Sequence, residues 1–200
     1  ELGIPVLVEQ SSYKTHPLGR TEWIKLYAAL LNKEAEADRI FGEQVDYLNS
    51  VANLKKTNQT VAFFYISSSG SAIARKSGDY VTKMIELAGG TYIFDHLGDP
   101  ETGTSTVTLE MEDFYATAKD VDIIVYNATI DGGVYTIAEL IAKNPLLADF
   151  KAVKNGDVWC TTKNLYQETT QLGQMIADLH AMLTDDGTLT KLTFLYRLQS

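Results

Sequence analysis

The chain has 200 residues, 17 Lys plus Arg against 26 Asp plus Glu, a formal net charge of −9, and 45% hydrophobic with 22% charged residues. That is the composition of a globular protein with one substantial core or two small ones, and the acidic balance lacks the field that draws a phosphate backbone, which argues against nucleic acid as a partner. Its apolar runs are strand-sized, too short to span a bilayer, and its single cysteine, Cys160, can form no internal disulfide.

The chain opens on Glu1-Leu2-Gly3-Ile4-Pro5-Val6-Leu7-Val8, with no methionine, basic n-region or hydrophobic h-region. A short turn followed by an apolar run is the expected form of the last strand of a preceding unit. From Pro17 to about Lys56 the pattern is helical: Trp23, Tyr27, Leu30 and Leu31, then Ile40, Phe41, Val45, Leu48 and Val51 recur at spacings of three or four. Asn32-Lys33-Glu34 either interrupts this region or decorates its middle; one helix there would be roughly 60 Å long if straight, a length suited to bracing two bodies. Val61-Ala62-Phe63-Phe64-Tyr65-Ile66 reads as a strand buried on both faces, followed by a flexible polar loop, Ser67 to Ser71.

Tyr80 to Ala88 predicts a helix closed by Gly89-Gly90, where a positive φ is wanted. Tyr92-Ile93-Phe94 is a short strand. A helix capped by Thr108 runs to about Lys119, with Met111, Phe114 and Tyr115 as its apolar side. Val121 to Tyr126 is a second buried strand, Ile137 to Ile141 is helical, and Asn144-Pro145 stops that helix. After the Asn155-Gly156 turn comes a third strand, Asp157 to Thr161, and then a strong helix from about Thr169 to Leu183. The tail from Thr190 to Gln199 is expected to dock as a short helix. Alternating strands and helices predict the α/β class: three layers with a mostly parallel sheet flanked by helices, over residues 58–200, preceded by a long linking helix over 16–57, with residues 1–15 closing a preceding unit.

Motifs for chemistry are sparse. The three histidines, His16, His96 and His180, make no ligand pair, and neither GxGxxG, GxxxxGK[ST] nor GxSxG occurs. Glu110 with Glu112, and Asp120 with Asp122, read as solvated positions more simply than as acid–base pairs. No catalytic residue or metal ligand is assigned. The informative material stands at the strand ends, where a parallel sheet gathers its ligand loops. Tyr65 with Ser67–Ser69, Tyr126-Asn127-Ala128-Thr129, and Thr161 to Gln167 are rich in Tyr, Asn, Ser and Lys, the makings of a recognition surface.

The order Leu2-Gly3-Ile4-Pro5-Val6, a helical region with Gly19-Arg20, Leu87-Ala88-Gly89-Gly90, Val107-Thr108-Leu109-Glu110, Asp120-Val121-Asp122-Ile123-Ile124-Val125 and Asn155-Gly156-Asp157-Val158-Trp159 resembles the substrate-binding proteins of ABC importers for cobalamin, haem and iron–siderophores. The resemblance implies two α/β lobes joined by a rigid helix, with ligand held between them and no bond made or broken. This chain would supply the linking helix and C-terminal lobe, and the N-terminal lobe would be its partner, with any signal peptide or lipid anchor upstream.

It also implies an extracytoplasmic location, an iron chelate, cobalamin or haem as ligand with no resident cofactor, and the membrane subunits of an ABC permease as docking partner. Glu110 matches the glutamate that family members use to dock on the permease. Tyr65, Arg75, Tyr126, Asn127, Lys163, Asn164 and Tyr166 are the candidate ligand contacts; Arg75 and Lys163 suit an anionic ferric chelate, and the aromatic rings suit a planar surface. The strand-end loops lack histidine, which favours a chelated cargo over a bare ion. The alternative is a cofactor-bearing enzyme or redox subunit on a related doubly wound lobe.

Overall fold

The computed structural model describes residues 3–54, 56–99 and 105–200; Glu1 and Leu2 of the expected upstream strand, Lys55 near the end of the expected long helix, and Pro100 lie outside them. Among the described residues seven strands form one sheet: β1 (Thr60–Ile66), β2 (Ala72–Arg75), β3 (Thr91–Tyr92), β4 (Thr106–Leu109), β5 (Ile123–Tyr126), β6 (Val158–Thr161) and β7 (Leu195–Arg197). Their order is β4-β2-β1-β5-β6-β7, with β3 beside the start of β1. The centre is parallel, β1 pairing with β3 and β5 and β5 with β6. The edges are antiparallel, β2 on β1, β4 on β2 and β7 on β6.

Nine helices accompany the strands among the described residues: α1 (Pro17–Thr21), α2 (Ile24–Leu31), α3 (Glu34–Ala52), α4 (Tyr80–Leu87), α5 (Met111–Ala118), α6 (Ala128–Asp131), α7 (Ile137–Lys143), α8 (Lys151–Asn155) and α9 (Leu172–Leu183). Successive side chains on a strand face opposite ways, so the Phe63-Phe64 pair of β1 serves both layers. Phe64 meets Phe114 of α5 at 4.5 Å between ring centroids, and Phe114 stacks on Phe94 and Phe150 at 5.4 and 5.6 Å. Phe63 faces Val81 and Met84 of α4 and Met175 and Leu179 of α9. A strand sandwiched this way must be apolar throughout, which is why Val61 to Phe64 are all buried.

The region Pro17 to Lys56 is not the single helix its spacing predicts. Asn32 adopts φ 54°, ψ 47° at the end of α2, a left-handed conformation that asparagine tolerates and that ends a helix. Beyond it α3 folds back: Lys25 Nζ lies 3.1 Å from Asp38 Oδ1 and 4.6 Å from the centre of the Phe41 ring. In one straight helix those residues would be about 20 Å apart along the axis. The small side chains of Ala28 and Ala37 are buried, while Tyr27, Leu30 and Leu31, expected on the apolar face, are exposed. Ile4, Val6, Leu7 and Val8, read as a strand, carry no strand pairing and are likewise exposed.

Three further local readings change. Ser67 to Ser71 is a tight hairpin turn, with Ser67 N–H donating to Ser71 O and Gly70 N–H to Ser67 O, both at 2.9 Å. Thr108 lies in β4, and Glu110 is the residue that precedes α5 in extended conformation, its side chain making no capping bond. Asp122 is an anchor rather than a solvated carboxylate: its Oδ2 accepts from the Thr60 N–H and hydroxyl at 2.8 and 2.7 Å, and its Oδ1 from Lys151. Gly89 takes φ 94°, as the end of α4 requires.

The tail forms β7 instead of a helix. Asp178 of α9, buried, accepts from Phe194 N–H at 2.7 Å, and Arg197 reaches Asp157 at 3.1 Å and Asp185 at 2.5 Å. Burial alone would push the Asp185 carboxyl up, but the Leu189 N–H, the Arg197 guanidinium and the Gly187 N–H outweigh it and hold the group below its ordinary 3.8. A depressed carboxylate stabilises the fold above its unfolded pKa, and that contribution fades as pH falls through the folded value. Arg197 keeps Asp157 and the Gly156 and Leu189 carbonyls as partners, so Asp185→Asn is expected to lower stability by about 1 kcal/mol at neutral pH. The deficit relative to wild type should shrink progressively below about pH 3.8 in urea titrations. A deficit that stays constant into acid would show that the charge is not the source.

Candidate functional site

At the carboxyl ends of β5 and β6 the chain turns into two polar loops, and α1 and the start of α4 close over them. Arg75 ends β2; the Tyr92 hydroxyl donates to its backbone oxygen and accepts from its N–H, both at 2.9 Å, so the arginine's backbone is fixed from beneath. Its guanidinium lies 4.8 Å from the centre of the Tyr166 ring. The Tyr166 hydroxyl accepts from Asn127 Nδ2 at 2.9 Å, while Asn127 Oδ1 accepts from the Thr129 hydroxyl at 2.6 Å. The loop after β5 and the loop after β6 are thereby tied to one another under Arg75.

Opposite stands a second stack, Arg20 of α1 over Tyr80 of α4 at 3.9 Å. Arg20 Nε and Nη2 donate to Lys14 O and Ser12 O at 2.9 and 2.6 Å, which draws the chain before α1 across the site. The buried Thr21 hydroxyl donates to Thr169 O at 2.8 Å and locks α1 to the loop before α9. Between the stacks is an open depression of about 440 Å³, lined by Arg20, Arg75, Asp79, Tyr80, Tyr166 and Thr169 among others.

Its electrostatics follow from burial. Asp79 Oδ1 accepts from Val81 N–H at 2.9 Å, capping α4, and its Oδ2 faces Arg75 Nη1 at 3.4 Å. Burial raises the Asp79 carboxyl, opposed by Arg75 and the Val81 N–H. Burial likewise pushes the Tyr80 phenol up to about 12, so it stays neutral and offers a ring and a hydroxyl rather than a charge. Two guanidiniums, each laid against an aromatic face, and one carboxylate leave a formally positive concavity on an acidic protein. Such a surface holds anionic oxygen and flat π systems.

Of the residues expected here, Arg75, Asn127 and Tyr166 come together. Tyr126 does not join them: it is fully buried, its ring 5.8 Å from Phe64 and its hydroxyl donating to Asp131. Tyr65 is half-buried against the core, and Lys163 and Asn164 are exposed on the β6 loop, Asn164 donating to Glu168 at 2.8 Å. Arg20, Asp79 and Tyr80 were not anticipated as site residues. Their signals were present, a Gly-Arg step in the first helix and an aspartate at a helix N-cap, but nothing local brings them within reach of Arg75. Cys160 is fully buried and its thiol is raised by burial, and no group of three or more His, Cys, Asp or Glu among the described residues could hold a metal ion.

Comparisons with known proteins match this architecture. A periplasmic binding protein family model matches residues 1–165. An uncharacterized lipoprotein of Methanocaldococcus jannaschii is 32% identical over 186 residues, covering 92% of this chain and 43% of that protein. Another uncharacterized protein of the same organism is 28% identical over 182 residues, covering 85% and 52%. The chain thus spans about half the length, or less, of these relatives. Among solved structures, an ABC-type Fe3+-hydroxamate transport system protein from Saccharomonospora viridis superposes with TM-score 0.71 at 18% identity, over 92% of this chain and 63% of that one. A periplasmic haem-binding protein of Vibrio cholerae gives 0.67 at 20% identity, over 88% and 68%. At those identities the likeness is one of fold.

Proposed function

This chain belongs to the periplasmic binding protein family, and from that premise we propose that it is the C-terminal lobe of an extracytoplasmic receptor that captures an anionic metal chelate and delivers it to an ABC permease. The observation that carries this reading is the paired Arg–Tyr stacks, Arg20 on Tyr80 and Arg75 on Tyr166, facing one depression beyond the strand ends. Ferric siderophores and haem present what such a surface grips: anionic oxygens for the guanidinium edges and planar ligand faces for the rings. The Fe3+-hydroxamate and haem-binding neighbours support a metal chelate as the ligand, the arginines supply the preference for anionic oxygen, and a relative named as a lipoprotein supports an anchored position outside the cytoplasm. A second lobe would close the other side of the cleft, and the work done is capture and docking.

The test is binding without turnover. Ferric chelates added to the full-length receptor should quench its Tyr and Trp fluorescence saturably and be recovered unchanged; catalytic conversion of the chelate would refute the receptor reading. Glu110, exposed ahead of α5 and engaged in no capping bond, stands free to reach a partner. Glu110→Ala in the full-length receptor is expected to reduce chelate uptake by transporting cells at least fivefold while leaving the dissociation constant within twofold. Uptake at the wild-type rate would remove Glu110 from the docking surface.

A further inference from the structure

The two arginines of the depression are not equivalent. Arg20 has donors committed to the backbone oxygens of Lys14 and Ser12, so its orientation is set by the chain. Arg75, 9% exposed, is held among the described residues by the Tyr166 ring on its face and by Asp79 at one edge, at 3.4 Å. That is long for a charge-assisted bond, which runs about 2.7–2.9 Å, and it leaves the other guanidinium donors for a ligand. Asp79 itself is 2% exposed, and its two oxygens do separate jobs. Oδ1 caps α4 through Val81 N–H, whereas Oδ2 is turned to Arg75. A cap needs an acceptor oxygen, not a negative charge, since asparagine serves as well as aspartate at an N-cap. The α4 dipole favours a negative charge at its N-terminus by only about 0.3–1 kcal/mol, less than burying an ionised carboxylate costs, so the helix alone does not account for the charge on Asp79. Its remaining effect is on the field in the cleft.

We propose that Asp79 sets the charge selectivity of the cleft by neutralising one edge of Arg75, so that neutral and weakly anionic ferric chelates are accepted while highly anionic ones are held less tightly than two unopposed arginines would hold them. This rests on the receptor reading above. A chelate with three negative charges meets the attraction of Arg20 and Arg75 and the repulsion of Asp79 together. A neutral tris-hydroxamate chelate meets chiefly the aromatic faces and the polar edges.

Asp79→Asn isolates the effect, because it retains the capping oxygen and removes the charge. Titrate the full-length receptor, wild type and Asp79→Asn, with a neutral ferric tris-hydroxamate and a trianionic ferric tris-catecholate at fixed ionic strength, following fluorescence quenching. The ratio of affinities, catecholate over hydroxamate, is expected to rise at least fivefold in the variant; a rise of less than fivefold, or a fall, overturns the assignment. Asp79→Ala, which loses cap and charge together, should give the same shift in ratio with a lower melting temperature, and absence of the ratio shift there would also overturn it. If wild type binds neither chelate, the receptor reading fails first and takes this inference with it. If wild type binds and the ratio stays put, the receptor reading stands and the role of Asp79 falls.

Discussion

Replacing Arg75 by alanine is expected to weaken binding of an anionic ferric chelate to the full-length receptor about a hundredfold. Arg75 can meet anionic oxygen with several donors in a partly desolvated wall, and hydrogen bonds to charged groups contribute about 1.5–3 kcal/mol each, so losing the equivalent of one strong bond or two weak ones is worth about a hundredfold. The substitution also strands Asp79, whose carboxylate is buried and paired with Arg75. An uncompensated buried charge costs about 3–5 kcal/mol, so the melting temperature must be read alongside affinity. The double substitution Arg75→Ala with Asp79→Asn removes that penalty and should remain folded while binding the anion weakly. Arg75→Lys keeps the charge but loses the planar fork and its stacking on Tyr166, and should recover part of the affinity at most. An alanine variant that binds the anionic chelate as wild type does would move the site away from this depression.

The second large effect is on stability. Gly173→Ala places a Cβ 2.8 Å from Gln44 Cα and nearer still to the Gln44 carbonyl oxygen, where α3 crosses α9. Alanine in a helix is ordinarily favoured over glycine by about 1 kcal/mol. Here the obstacle is backbone, which cannot rotate aside, so α3 has to move off α9. Overpacking of this kind costs about 1–3 kcal/mol, occasionally more, and the upper end is expected, a drop of roughly 6–12 °C in melting temperature for a chain of this size. The shift should also break the bond from Gln174 N–H to Gln44 Oε1, now 3.1 Å, which fixes the same crossing. Equal stability of variant and wild type by calorimetry would show that the two helices do not cross at this contact.

How much of this was legible in the residues differs by element. The apolar run Val61 to Ile66 and the helix closed by Gly89 were readable because period and punctuation act within a few residues. β2 and β4 escaped because Ala72 to Arg75 and Thr106 to Leu109 are short and lack the bulky alternation of a strand; each exists by pairing with its neighbour. The tail residues Leu195 to Arg197 look as helical as extended until β6 offers an edge. Asn32 gave a visible warning of a break in the first helical region. Whether the break bends the chain back depended on Lys25 finding Asp38 and Phe41.

The site divides in the same way. Residues that follow strand ends, Asn127 and Tyr166, were legible because a parallel sheet exposes its carboxyl edge wherever it is built. Tyr126, one residue earlier, points to the opposite side of the strand and into the core, a difference of a single position that alternation imposes and that a list of polar loop residues conceals. Arg20, Asp79 and Tyr80 became neighbours of Arg75 and Tyr166 through the packing of α1 and α4.

By itself the amino-acid sequence determined the α/β class, the buried central strands and the edge at which polar loops collect, because hydrophobic period, caps and turns are interactions between residues close along the chain. The tertiary structure alone decided that the first helical region folds back, that the tail is a strand, and that Arg20 from one end of the chain and Arg75 from the sheet face one depression with Asp79 between their charges. Those outcomes depend on contacts between segments far apart in sequence, whose geometry is settled by packing and by which backbone edges are left to pair.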